Sequence, residues 1–377
     1  MDYFKSITLV FCLLVLYSCD KDDTALYSKE TSDDSLVSNL ILTPQSPNQL
    51  INNYTGNANF DSNTGILTFT SSGKINFPNR SQGQETRWFV PPSVSKIIIK
   101  KQTRVEGQFD VATGTNVIIQ GENKFSSKVF GTNLQAYSGT GGLIPVSAGE
   151  FSAFLSSGNG TNLIIDNLTS INPKGWHSRA NYATGARLTL KNSRFIDDRG
   201  GFGNHSDGVH NADLVENCYF ETGDDIICDY SDAPTIVRNC EINLVQNAMP
   251  IQYGYNGPTS GNNTLTIENL LITGDVGRNG ASLIQCLNRN NNSQTATKTI
   301  NIDGLYFRPS NNNSKGFIVN CDDNITLQGT WKNVNINVAD YFNSSLDSKS
   351  GQAISFISIC NTTNKYKNYN CGNPPMP

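Results

Sequence analysis

Short apolar runs that alternate with polar positions and close on asparagine recur through the chain: LIIDN at 163–167, LTLKN at 188–192, LVEN at 214–217, IVRN at 236–239 and LTIEN at 265–269. INIDG at 300–304 and WKN at 331–333 continue the series. From Asn167 the successive spacings are 25, 25, 22, 30, 35 and 29 residues, which bracket one turn of a β-solenoid with loops of unequal length. Gly114-Thr115-Asn116-Val117-Ile118-Ile119 echoes Gly160-Thr161-Asn162-Leu163-Ile164-Ile165 upstream. A second ladder lies between the first: FSAFL (151–155), RANYA (179–183), DGVHN (207–211), DDIIC (224–228), MPIQY (249–253), SLIQC (282–286), FIVNC (317–321) and ISFIS (354–358). The pattern therefore predicts two strands per turn. Runs this short cannot fold alone, but stacking them about 4.8 Å apart pairs every backbone edge. Asparagine at the same corner of each turn can take the left-handed conformation and hydrogen-bond along the stack. A parallel β-helix is the expected fold. A β-sandwich also repeats strands, but at about 8–12 residues.

Composition narrows the class. Asn supplies 48 and Gly 32 of the 377 residues, with charged residues at 16%, which suits turns and short strands over helices. A net charge of -4 without a basic run argues against a nucleic-acid partner.

Residues 1–18 carry Lys5 and then ITLVFCLLVLY, the form of a secretory signal. Leu16-Tyr17-Ser18-Cys19 resembles a bacterial lipobox, with Cys19 the lipidated N-terminus, and Asp20-Lys21-Asp22-Asp23 resembles the acidic signal of surface lipoproteins. The expectation is an outer-membrane lipoprotein, exposed at the cell surface. Residues 19–40 suit a tether, 41–92 lack the Asn beat and are expected to form a small β cap or sandwich, and 93–377 are expected to form the β-helix. A disulfide between Cys360 and Cys371 suits an oxidising compartment. Cys218, Cys228, Cys240, Cys286 and Cys321 fall in apolar runs and read as buried core thiols. No CxxC or His/Cys spacing points to zinc, and neither metal nor cofactor is expected.

Three histidines, His177, His205 and His210, fall within 34 residues of one another. In the same stretch Asp207 begins one rung of the second ladder, and Asp224 and Asp225 begin the next. A rise of about 4.8 Å between rungs would set the carboxyl groups about 5–9 Å apart, a separation suited to acid/base cleavage of a glycosidic bond. In a strict strand Asp224 and Asp225 would point to opposite faces, and Gly223 offers a bulge that could turn both outward. A solvated turn and a calcium site are the other readings of such acids.

SDG followed by GDD one rung later resembles the three-aspartate signature of polygalacturonase-like β-helix glycoside hydrolases. NHSDGVHN, FETGDDIICDYS and IVRNCEINLVQNAMPIQYGYN are most similar to the dextranase and isopullulanase family, glycoside hydrolase family 49, and RWFVPPSVSKIIIKKQTRVEGQF resembles its approach to the β-helix. The resemblance covers residues 85–260. It implies a right-handed parallel β-helix of the pectin-lyase-like kind and an inverting hydrolase, with Asp224 as general acid and Asp207 and Asp225 holding the water. It also implies a neutral α-glucan of dextran type as substrate. Cys228 replaces a lysine of that family, Tyr253-Gly254-Tyr255 replaces its tryptophan, and the Gly-His-Gly and Arg-x-Lys motifs of pectin-cleaving relatives are absent, which disfavours galacturonan.

Ladder neighbours should line the cleft: Arg179, Asn181 and Tyr182 one rung earlier, Gln252, Tyr253 and Gln285 later, with Trp176 and Tyr255 as stacking platforms. One of His205 and His210 should face the groove. A monomer acting on a polysaccharide is expected, the rivals being a calcium-dependent polysaccharide lyase and a non-catalytic glycan-binding solenoid.

Overall fold

The computed structural model describes residues 44–78, 80, 84–111, 114–134, 151–199, 206–231, 233–245, 248–254, 264–274, 282–286, 296–310, 315–321, 325–336, 340–344, 353–356 and 359–361. Lipidation at Cys19 and the Cys360–Cys371 pairing lie outside what is described, although Ile359–Asn361 is a strand paired with Val334–Ile336. The chain winds as an all-β parallel β-helix. The four coils from Thr235–Leu244 to Ile325–Ile336 have two strands, as the pattern predicts, whereas the earlier coils have three, two of which share a sheet. In the coil around the first repeat these are Asn162–Asp166, Thr169–Ile171 and Ser178–Ala180.

The Asn beat marks the corner between the first two segments. Asn167, Asn192, Asn217, Asn239, Asn269 and Asn333 all have φ between 53 and 55°, or 49° at Asn192, and Gly304 takes the same place at 95°. Asn tolerates this region because its short amide can bond locally where a β-carbon otherwise costs about 1–2 kcal/mol. Those amides also bond along the stack: Asn192 Nδ2 to Asp166 Oδ1 at 2.9 Å, Asn217 Nδ2 to Asn192 Oδ1 at 3.1 Å, and Asn269 Nδ2 to Asn239 Oδ1 at 3.2 Å. Asn192→Gly, which keeps the backbone but loses two amide bonds, is expected to cost about 1 kcal/mol, and Asn192→Val about 3 kcal/mol. Urea melts of the two variants check the order; equal losses would refute a role for the left-handed corner.

Inside the coil, like positions stack. Ile119, Ile165, Leu190, Val215, Val237, Ile267, Ile302 and Trp331 are register partners in succession, each at most 2% exposed. Phe195 stacks on Phe220 at 4.9 Å and 15°. Full burial of such side chains stabilises by about 1.5–3 kcal/mol each, which is what a run of five residues lacks in isolation.

The coil starts inside the segment expected to be a cap. Ile66–Phe69, Gly73–Lys74 and Arg87–Val90 already pair in parallel with Lys96–Ile99, Arg104–Glu106 and Gln108–Val111. These first coils turn their corners without Asn, Gln102 at φ 62° serving in the second, so the beat is missing where the winding is present. What caps the open end is smaller. A helix, Pro47–Asn52, opens on a Ser46–Gln49 capping box, and Ala58–Asp61 pairs antiparallel with Ile66–Phe69. Tyr54 closes over Phe69 edge to face at 4.9 Å, and Leu50 is buried in the same core.

Among the described residues the second ladder forms a separate sheet of ten parallel strands, running coil by coil from Arg87–Val90 to Asp340–Ser344. ISFIS does not belong to it: Ala353–Phe356 pairs with Gln328–Trp331 in the other sheet.

Candidate active site

The second sheet carries one outward column whose register is fixed by the backbone: Arg179, His210, Cys228, Gln252 and Gln285 are consecutive partners. Just before it the chain bends. His177 N donates to Asp207 O at 2.9 Å, Gly208 N to Asp225 O at 2.9 Å and Ile226 N to Met249 O at 2.9 Å, so Trp176, Asp207, Asp225 and Met249 occupy equivalent positions of four successive coils. Gly208 is required there, because a Cβ would stand 2.3 Å from Ile226 O. The turn carrying the second acidic pair is held from the preceding coil, Gly223 N–H donating to Ser206 Oγ at 3.1 Å. This bend, which an ideal strand lacks, places Asp225 in the same column as Asp207 and lets residues three apart on one coil meet.

His210 Nε2 lies 2.7 Å from Asp207 Oδ2. Its ring stacks flat on Trp176, centroids 3.6 Å apart at 6°, and meets Tyr230 edge-on at 5.3 Å. Burial, reinforced by the Arg179 charge, holds the imidazole well below its usual range, so it is neutral and its N–H donates to the carboxylate. On the next coil Gln252 Nε2 donates to Asp225 Oδ2 and its Oε1 accepts from Tyr230 OH at 3.1 Å. Two carboxylates are thus each oriented by a neutral donor. Asp207, Asp224 and Asp225 are 6%, 5% and 7% exposed. The Cys228 thiol is pushed well up by burial and then by the charges of Asp207, Asp225 and Asp224. Burial first, with the same negative surroundings, also raises the Tyr230 phenol.

Several expected lining residues fall here. Arg179 is half-buried with its guanidinium 5.4 Å from the Trp176 ring centre, so Trp176 forms a wall through His210 and Arg179. Gln252 and Gln285 follow in the column, and Asn181 is half-buried just past Ala180, its backbone N–H bonded to Ser156 O at 2.8 Å. Tyr253 is a correction: strand alternation turns it inward, 0% exposed, with its hydroxyl 3.5 Å from Thr299 O. His205 and Tyr255 lie outside the described residues. His177 points into the coil, Nδ1 2.8 Å from Ser170 Oγ and its ring edge-on to Phe195.

Cys228 and Tyr230 belong to this cluster, and reading the chain missed both. Cys228 is buried at 1% exposure, as its apolar run suggests, yet it projects from the outer face between His210 and Gln252. Carrying the ladder one step beyond His210 would have found it.

No family model and no curated protein matches the chain. The fold and site define an all-β parallel β-helix with a buried acid cluster on its ten-stranded face.

Proposed function

We propose that the protein is an inverting glycoside hydrolase that cleaves a polysaccharide by single displacement. The observation that carries this reading is that Asp207 and Asp225 stand at equivalent positions of adjoining coils, each bonded by a neutral side chain, with Asp224 next to Asp225 in the chain. Glycosidic cleavage needs one carboxylic acid to protonate the leaving oxygen and one carboxylate to activate water. Asp207 and Asp225 each accept a hydrogen bond from a neutral donor, His210 and Gln252, which favours their ionised form and suits them to hold and deprotonate the water. Asp224, beside them in sequence, takes the general-acid role. Trp176 and Arg179 offer a stacking face and hydrogen-bond donors to sugar rings. Arg179 is the cation the described contacts bring to this cluster, which accords with a neutral or weakly charged glycan, and the family resemblance points to a dextran-type α-glucan.

A panel of neutral and acidic polysaccharides, assayed for new reducing ends and for the anomer first released, tests this. Release of the inverted anomer supports it. Unsaturated products would instead mark a lyase, and binding without new ends a glycan-binding solenoid.

The chain is further proposed to be a surface lipoprotein anchored through Cys19. Among the described residues no helix is long and apolar enough to cross a membrane. Labelled fatty acid should be incorporated by the full chain in a bacterial host and lost in Cys19→Ser; label retained in that variant would remove the anchor from Cys19.

A further inference from the structure

The acid cluster contains a second constellation, which shares Asp207 and His210 with the proposed hydrolysis and adds a thiol that the hydrolysis does not use. Asp207, His210 and Cys228 each present one ligand atom, and these atoms lie within 4.8 Å of one another. Two come from one coil, brought together by the bend at Gly208, and the third is the direct register partner of His210 on the next. We propose that Asp207, His210 and Cys228 form a tridentate site for a thiophilic divalent cation of the zinc class.

The donor set decides the class. Carboxylates alone would suit calcium or magnesium, but a thiolate with an imidazole selects zinc and its soft relatives. Zinc bonds of about 2.0–2.3 Å put tetrahedral ligand atoms about 3.3–3.7 Å apart. The 2.7 Å contact between His210 and Asp207 must open by about 0.6 Å, and the sulfur, within 4.8 Å of both, must close by about 1.2 Å at most. The surroundings are prepared for positive charge, since Asp224 and Asp225 add to Asp207, opposed by Arg179 alone among the groups that bear on Cys228 and His210. His210 is held between Trp176 and Tyr230, so its ring plane is fixed before any ion arrives. Tyr230, edge-on to His210 and bonded through its hydroxyl to Gln252, frames the site from outside, as the outer partners of a metal ligand do.

Binding requires no redox step. The Cys228 S–H proton leaves to solvent as the sulfur–metal bond forms, and the remaining imidazole proton sits on Nδ1 so that Nε2 can coordinate. The fourth position stays open to water. Because Asp207 is a ligand, an occupied site cannot also use that carboxylate on water, so the cation acts as an inhibitor of the proposed reaction; this clause alone rests on the hydrolase reading.

The test is titration of the full chain with Co2+ under a phosphine reductant, followed by displacement with Zn2+. Expected is a thiolate-to-cobalt charge-transfer band in the near ultraviolet that saturates at one equivalent and disappears on adding zinc. Cys228→Ser should lose the band and weaken zinc binding by more than about 100-fold, beyond the 10–100-fold that loss of an outer partner costs. Cys240→Ser, whose thiol lies inside the coil, should keep both. A wild-type protein without the band, or a Cys228→Ser protein that retains it, overturns the site whether or not any glycan is cleaved. Where hydrolysis is observed, zinc should suppress it in the wild type, and the turnover of Cys228→Ser, whatever its level, should not respond.

Discussion

Asp224→Asn should lower turnover by about 10²–10⁴-fold, the span a positioned general acid contributes, while leaving KM and the melting temperature nearly unchanged. The substitution is close to isosteric and keeps the buried position at 5% exposure, so the coil has little reason to distort. What disappears is a transferable proton. Asparagine cannot protonate the leaving oxygen, and the loss falls on kcat because binding groups such as Trp176 and Arg179 are untouched. A variant that keeps more than about a tenth of wild-type turnover would remove Asp224 from the general-acid role. A fall in melting temperature matching the fall in activity would reassign it to the fold.

The second large effect concerns stability. His177 is wholly buried inside the coil, and burial lowers its pKa from 6.5 to about 3, an effect that Asp197 partly opposes and Arg199 reinforces. The folded protein therefore keeps this imidazole neutral where the unfolded chain protonates it. Below pH 6.5 the unfolded state binds the additional proton, so stability falls as pH drops, and the loss continues until the folded pKa near 3 is reached. Between pH 7 and pH 4 the difference amounts to about 3 kcal/mol. His177→Phe removes the titration, and its unfolding free energy should decline less than wild type by about that amount over the same interval. Denaturant melts at both values check this; parallel declines in the two proteins would show that His177 does not titrate on unfolding.

The corner Asn series was legible because each position has one physical demand, a positive φ with an amide to bond upward, and few residues meet it. Gly304 fits the same rule from the other side. The first coils escaped notice because their corners meet the demand differently, with Gln102 in place of Asn. The acids were legible as the starts of two successive rungs, Asp207 on one and Asp224 with Asp225 on the next. Which of the two stands level with Asp207 was not, and the backbone register through the bend held by Ser206 and permitted at Gly208 gives that place to Asp225. Tyr253 was misplaced by the same alternation that places Gln252 correctly. The run around Cys228 reads as core because apolar neighbours say how much a side chain is buried and not against which surface.

The sequence by itself determined the winding, for periodic burial and left-handed corners are local demands that each repeat states again. Tertiary structure alone decided which side chains meet. Residues 17 or 18 apart along the chain become neighbours only when coils lie in register. That register is set by stacking of the whole core, a sum over many contacts that no short motif contains.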